Sequence, residues 1–498
     1  MNHWLIAPVL LPLFVGALLV CFGSQPRLAR GFSLLSTVAL LPIAIYLLGL
    51  AATGEIHTYA LGNWQSPFGI VLLLDRLSAL MLLTTAVLAI FAVLYALRGE
   101  DQQGLYFHAL FQFQLAGING AFLTGDLFTL FVFFEILLIA SYGLLLHGRT
   151  QARVKAAMHY ILLNLVGSAF FLIAAGIFYG IAGTLNMVDL ARAVSQAQGD
   201  QRLLLHAAGL LLFLVFGLKA AFLPLYFWLP KSYASAAASV AALFAIMTKV
   251  GLYAIIRFSV LVFGSLAGES AGLGLSWFWP LALLTIFLGA LGAFAATNLA
   301  SMVAYFILVS VGTILAGIAL GTPQALGATL YYLVHSTWVS GGLFLLVGVI
   351  ASQRGKLVDQ LTRGPALNRH SLIGVLFFAG AISIAGLPPL SGFFGKIMLL
   401  FSATGWQAGL LWGVILSAGL IGVVALSRAG SQVFWRSNAP AREDIHLDTA
   451  SLVIASGLIV LSPVLVVFAE PVSQFTQATA NQLFDVIAYL SLLNGGVN

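Results

Sequence analysis

The chain has 498 residues, of which 61% are hydrophobic and only 7% charged, and its mean hydropathy is +1.06. A soluble domain carries roughly 25% charged residues, so the composition excludes a water-soluble enzyme and makes lipid the natural solvent. The single cysteine, Cys21, excludes a disulfide framework and an iron–sulfur cluster, which takes about four thiolates.

A helix spans a bilayer with about 20 apolar residues, so the length accommodates about fourteen of them. Apolar runs of that kind lie at 3–22, 31–52, 75–97, 106–124, 126–147, 158–182 and 203–228. They continue at 234–262, 279–297, 301–320, 324–350, 371–403, 409–434 and 450–470. The alternation of a membrane β-barrel is absent, so the fold class is all-α and polytopic. The first run has no basic residue before it, in Met1-Asn2-His3-Trp4, and is read as a retained helix rather than a signal peptide.

The loops between these runs alternate in charge. One set holds Arg27, Arg30, Arg98, Arg149, Arg153, Lys155, Lys231, Arg354, Lys356, Arg363, Arg369, Arg428, Arg436 and Arg442. The other has Arg76, Arg192 and Arg202 beside Glu55, Asp75, Asp189, Asp200 and Glu269. Basic loops stay in the cytoplasm, so the pattern places both termini on the outer face of a bacterial plasma membrane. It also explains the formal charge of +6 without a nucleic-acid partner.

Two runs are interrupted by proline, which removes a backbone donor and clashes with the preceding turn. The seventh contains Leu218-Lys219-Ala220-Ala221-Phe222-Leu223-Pro224, and the twelfth contains Gly386-Leu387-Pro388-Pro389-Leu390-Ser391-Gly392. Breaks at corresponding places in two halves are the mark of an inverted-repeat transporter. An offset of five helices inverts the second unit relative to the first. The expected division is 1–100 for helices one to three, 101–265 for a first five-helix repeat, 275–436 for a second, and 445–498 for helix fourteen and a tail.

Charges in mid-helix cost roughly 2.5–3.5 kcal/mol each even on a lenient scale, which makes them functional candidates. Glu135, Lys219, Lys249, His335 and Lys396 stand out. Glu135 is the only mid-helix carboxylate, so Glu135 with Lys219 forms the natural switch pair. Lys249, His335 and Lys396 would continue it as a hydrogen-bonded proton relay, with Ser, Thr and Tyr hydroxyls and waters between. Other polar residues receive plainer expectations. Asp126 caps a helix. Arg257, near the outer end of its helix, snorkels to water. His108 and His159 sit at helix ends without a required function. No phosphate-binding loop or dinucleotide fingerprint is present, and no cofactor or metal is expected.

These residues carry a resemblance. Thr124-Gly125-Asp126-Leu127-Phe128, Phe134-Glu135, Leu218 to Leu225 and Leu387 to Phe393 resemble the proton-translocating antiporter-like family. That family includes membrane-arm subunits of respiratory complex I, related hydrogenase subunits and large subunits of Mrp-type cation/proton antiporters. The resemblance covers roughly residues 100–435. It implies that Glu135, Lys219, Lys249 and Lys396 are the family's buried charges and that His335 is its helix-eleven histidine. Ile139 to Leu145, Trp228 to Tyr233 and Thr248 to Tyr253 look most like the D-type member of the Mrp antiporters. Tyr233-Ala234-Ser235-Ala236 departs from the family pattern, lacking a proline often found there. The implied function is exchange of Na⁺ (or K⁺, Li⁺) for protons inside a hetero-oligomeric membrane complex. A redox-driven pump subunit of complex I or a hydrogenase, and a structural scaffold with charge-tied helices, are the alternatives.

Overall fold

In lipid every backbone donor and acceptor must be satisfied inside the chain, and a helix does this locally. The computed structural model describes residues 2–21, 25–64, 69–437, 440 and 447–494, and follows that rule almost throughout. The chain opens with α1 (Ala7–Cys21) and α2 (Pro26–Ala52), then a hairpin of β1 (His57–Ala60) and β2 (Val71–Leu74), then α3 (Arg76–Ala96). Next come α4 (Phe107–Leu123), α5 (Leu127–Leu146), α6 (Gln151–Ala182), α7 (Met187–Gln196), α8 (Gly199–Ala220), α9 (Trp228–Ser235), α10 (Ala238–Phe244) and α11 (Met247–Arg257). After them lie α12 (Leu275–Ala295), α13 (Leu299–Ala319), α14 (Pro323–Gln353), α15 (His370–Ala385), α16 (Ser391–Ser402) and α17 (Gly405–Gly430). The chain ends with α18 (Thr449–Val467), α19 (Ala469–Phe484) and α20 (Val486–Asn494). Among the described residues, 11 helical segments are long and apolar enough to cross a membrane, and α1, α15 and α16 are shorter apolar helices. The molecule is a polytopic, mostly helical membrane protein.

The apolar runs read from the sequence fall on these helices: α8 ends at Ala220 inside the seventh run, the eighth is divided into α10 and α11, and the twelfth into α15 and α16. Three features depart from expectation. The two-stranded hairpin, with His57 opposite Leu74 and Ala60 opposite Val71, corrects the all-α assignment locally. Helix α7 is amphipathic, so no apolar run marks it; Asn186 caps it by accepting from the amides of Val188 and Asp189. The C-terminal tail is helical as α19 and α20. Polar residues such as Gln474, Gln477 and Gln482 hide α19 from hydropathy, but it packs on α14, where a Cβ on Gly327 would lie 3.1 Å from Gln477 Cα.

Several local devices occur twice along the chain, once between α4 and α11 and once between α12 and α17. Helix α5 starts beside the strand-like segment after α6: Leu127 N donates to Leu185 O at 2.8 Å and Met187 N to Gly125 O at 2.9 Å. Helix α13 does the same with the segment after α14, through Leu299 N to Asp359 O at 2.9 Å and Leu361 N to Thr297 O at 2.8 Å. Asp126 caps α5 through the Thr129 amide, as expected, and Asn298 caps α13 through the Ser301 amide. Helices α8 and α15 both end on a residue in the left-handed region, Ala221 at φ 61° and Gly386 at φ 82°. Pro224 and Pro389 each follow that residue by three positions, and each lies after a cis peptide bond. The packing pairs also correspond: α4 with α5 and α11 matches α12 with α13 and α17, and α6 with α8 and α9 matches α14 with α15 and α16.

Burial is uneven. The windows through Ala238–Val262, α13 and α14 are 100%, 94% and 94% buried, whereas those through α6 and Gly405–Trp435 are 39% and 33% buried. The helices that bear Lys249 and His335 are therefore the interior of the bundle, and α6 and α17 form its outer wall.

On one face the loops are tied by charge. Arg98 pairs with Asp448 at 2.8 Å, and Arg153 donates to Ser235 O at 3.0 Å and Gln103 Oε1 at 3.2 Å. Glu100, in the α3–α4 loop, accepts from the amides of Ala238 at 3.1 Å and Ser239 at 2.9 Å, and so caps α10 from a distance. The loops after α3, α5 and α9 and the start of α18 thus share one face, as the charge alternation requires. Arg442, the last residue of the basic set, lies outside the described residues.

Candidate functional site

Lys219 stands in the last turn of α8, two residues before the left-handed Ala221. The C-terminal end of a helix carries partial negative charge, so a cation is favoured there. Its side chain is 8% exposed, and Nζ has no hydrogen-bond partner. The ammonium lies 5.7 Å from the centre of the Phe134 ring, within cation–π range. Glu135, the next residue on α5, is half-buried and does not form an ion pair with Lys219. Its carboxylate instead accepts from the Ser168 hydroxyl on α6. The expected switch pair is thus near but not closed, with the Phe134 ring beside the ammonium.

Lys249 is fully buried on α11. Helix α11 approaches α8 closely because residue 251 is glycine: a Cβ there would lie 2.5 Å from Ala220 N and 2.9 Å from Phe216 O. This contact brings the lysine-bearing stretches of α8 and α11 together. Lys249 Nζ donates to Ser310 Oγ on α13 at 3.3 Å. It therefore links α11 to α13.

His335 is fully buried on α14. Its Nδ1 is 2.7 Å from Ser391 Oγ, the first residue of α16, and Ser391 Oγ is 2.8 Å from Ser462 Oγ on α18. Nε2 has no partner, and a Cβ on Gly392 would come within 2.8 Å of it. Glycine at 392 thus leaves room beside the free ring nitrogen. Lys396, one turn further along α16, donates from Nζ to Ala385 O at 2.7 Å. That carbonyl is released at the end of α15, so the helix break supplies the acceptor. Gly386 is needed twice over, for its φ of 82° and because a Cβ would lie 2.8 Å from Lys396 Nζ.

The structure therefore brings Lys219 beside Phe134–Glu135, Lys249 onto Ser310, and His335 and Lys396 to the two sides of the second break. Pro224 and Pro388–Pro389 lie in the interruptions. The serines that partner these groups were not singled out by the sequence, because serine is common in membrane helices and carries no charge signal.

Three expectations fail. Arg257 does not snorkel: it is 2% exposed and pairs with fully buried Asp75, Nη1 to Oδ2 at 2.5 Å and Nη2 to Oδ1 at 2.7 Å. Tyr489 of α20 donates to the same carboxylate at 2.6 Å. Spacing could have shown this, since Arg257 follows Lys249 by two turns and shares its inward face. His108 is buried rather than interfacial, with Nε2 3.1 Å from Asp101 Oδ2; Arg30 holds the same carboxylate at 2.6 and 2.8 Å. His159 is exposed, but α6 begins at Gln151, so it sits two turns inside the helix rather than at its end.

Residues 124–422 match the family model described as "NADH:quinone oxidoreductase/Mrp antiporter, TM". A relative from Rhizobium meliloti, named as the probable D-type subunit of a K⁺/H⁺ antiporter, is 40% identical over 97% of this chain and 96% of its own. The D-type subunit of the Na⁺/H⁺ antiporter of Bacillus subtilis is 37% identical over 98% and 99%. Among solved structures, the Mrp complex from Dietzia sp. contains a chain with a TM-score of 0.90 and 26% identity, covering 99% of this chain and 100% of that one. A chain of respiratory complex I from Thermus thermophilus reaches a TM-score of 0.79 at 26% identity, over 97% and 100%. With the family model spanning more than half of its length and curated relatives matching nearly end to end, this chain belongs to the NADH:quinone oxidoreductase/Mrp antiporter family of membrane subunits.

Proposed function

We propose that this chain is the D-type subunit of a multi-subunit monovalent cation/proton antiporter, a transporter component that works inside a hetero-oligomeric membrane complex. The end-to-end similarity to the D-type antiporter subunits favours this over a redox-driven pump. Cytoplasmic Na⁺ or K⁺ leaves in exchange for external protons, and this chain carries the protons.

The observation that carries the reading is the line of buried titratable groups at helix ends and breaks. Lys219 and His335 each retain a buried polar atom without a partner, and Lys396 bonds only a carbonyl that the break exposes. A scaffold would satisfy such groups with counter-charges, as Asp75 does for Arg257. A relay needs groups that change partners. In the proposed path a proton passes from Glu135 and Lys219 through Lys249 to His335 and Lys396, with hydroxyls and waters between.

The matching caps, crossings and breaks support two five-helix repeats, residues 101–265 and 275–436, within about fourteen membrane crossings. The odd offset makes the repeats inverted. Both termini then face the outside of a bacterial plasma membrane, with 1–100 and 445–498 flanking the repeats. Everted vesicles holding the complete complex test the function directly. Cation-dependent pH change should be present with the native chain and absent with Lys249→Ala or Lys396→Ala at normal abundance. Undiminished exchange in both variants would overturn the relay.

A further inference from the structure

Glu135 must be reloaded from water, and one face of α6 leads to it. Tyr160, Asn164 and Ser168 follow one another at four-residue spacing, so they stack on a single stripe of the helix. All three are buried, although α6 is the most lipid-facing wall of its five-helix set. At the inner end, Ser168 Oγ donates to Glu135 Oε1. At the other end, nearer Gln151, Arg153 and Lys155, Tyr160 OH is 2.9 Å from Ser141 Oγ on α5. Between them Asn164 Nδ2 donates to Tyr160 O at 2.8 Å. A carbonyl can only accept, so the amide nitrogen faces it and Oδ1 is the atom left over. Asn164 Oδ1 is buried and unpartnered, on a residue 1% exposed.

A buried acceptor without a donor is rare, and its usual occupant is a water. Four residues of helix rise about 6 Å. Tyr160 and Ser168 are two such steps apart, about 12 Å of rise, so a short file of waters, held at its middle by Asn164 Oδ1, is what joins them. The stripe also touches the broken helix: Tyr160 stacks on Trp228, ring centres 4.8 Å apart, and Trp228 Nε1 donates to Leu218 O, beside Lys219. The start of the ladder is thereby packed against the residue next to Lys219.

We infer that Tyr160, Asn164 and Ser168 form the proton-loading ladder of Glu135, with Asn164 a positioning residue that holds the transferring waters. The inference rests on the proposed proton role of Glu135. In the transfer, Ser168 gives its hydroxyl proton to the Glu135 carboxylate and takes one from the nearest water of the file. Each water of the file takes one from the next, and the last takes one from Tyr160 OH, which takes one from the aqueous end. One proton has moved, every oxygen on the ladder is neutral again, and the amide has only held the file in place.

The test is made in the complete complex, with cation/proton exchange, membrane abundance and the solvent deuterium isotope effect measured together. Asn164→Leu keeps the shape but offers no acceptor, and should lower exchange about a hundredfold, the low end of the range for lost proton-transfer groups. Its isotope effect should rise as loading becomes limiting. Asn164→Ser can still hold a water and should recover most of the rate. Ser168→Ala, which removes a single oxygen, should show the same loss and serves if Asn164→Leu fails to accumulate. Full exchange in Ser168→Ala, or equal losses in Asn164→Leu and Asn164→Ser without a change of isotope effect, would overturn the ladder. Glu135→Gln is run alongside: exchange surviving there sinks the relay itself, whereas an inactive Glu135→Gln beside a fully active Ser168→Ala sinks the ladder alone.

Discussion

Arg257 and Asp75 hold each other through two parallel hydrogen bonds, and the Asp75 carboxylate also accepts from Tyr489 of α20 and caps α3 through the Ser78 amide at 2.9 Å. One carboxylate thus joins α3, α11 and α20, and fixes the far end of the helix that carries Lys249.

Removing one partner of such a pair leaves an uncompensated buried charge, at a cost of about 3–5 kcal/mol. Arg257→Met should therefore lower the thermal stability of the complex and its abundance in membranes. Asp75→Asn keeps an oxygen for the α3 cap and removes the charge, so the double variant should regain most of the loss. A double variant as unstable as Arg257→Met, measured by thermal unfolding in detergent, would show that the pair is not the source.

The two left-handed helix ends make opposite predictions. Gly386→Ala forces a side chain into φ 82° and against Lys396, and should cost on the order of 1–3 kcal/mol together with exchange activity. Ala221→Gly relieves a residue already at φ 61° and should leave stability unchanged or raised. Thermal unfolding of both variants, with exchange measured in vesicles, checks the pair.

Lys219→Arg separates charge from proton transfer. The guanidinium stays protonated at any accessible pH, so it keeps the positive charge but cannot release a proton. Exchange should be abolished from pH 7 to 9 while assembly persists, as quantified by immunoblot of the purified complex. Full exchange at normal abundance would make Lys219 an electrostatic brace.

Asp101 sets an acid limit on one face. Burial pushes its carboxyl up, but the hydrogen bonds from Arg30 and His108 outweigh burial and hold it below the ordinary value of 3.8. A carboxyl depressed on folding contributes stability above its unfolded pKa and loses that contribution as pH falls through the folded one. The stability gap between the native protein and Asp101→Asn should be constant from pH 7 to 5 and close below about pH 3.8. A gap that widens on acidification would reverse the assignment.

Much of this was legible in the sequence because lipid makes both signals strong. An apolar run must be a helix, and a charge within it must have a purpose, so the long helices and Lys219, Lys249, His335 and Lys396 stood out. What escaped has physical reasons. Helices α7 and α19 bury only one face and carry polar residues on the other, so no apolar run announces them. Asn164 and Ser168 are uncharged, and their importance lies in one missing partner and one bond to Glu135, neither of which spacing reveals. Position along the helix puts Arg257 near an end, but the face it occupies turns it inward, onto Asp75.

The amides that begin α10 are capped by Glu100, a residue from the loop before α4. That loop joins the three N-terminal helices to the rest, so the boundary drawn between residues 100 and 101 passes through the cap of a helix far along the chain. The N-terminal helices are therefore not a detachable preface. A chain shortened to begin at α4 would expose the start of the segment leading to Lys249, and could regain it only if another carboxylate were supplied at the same place.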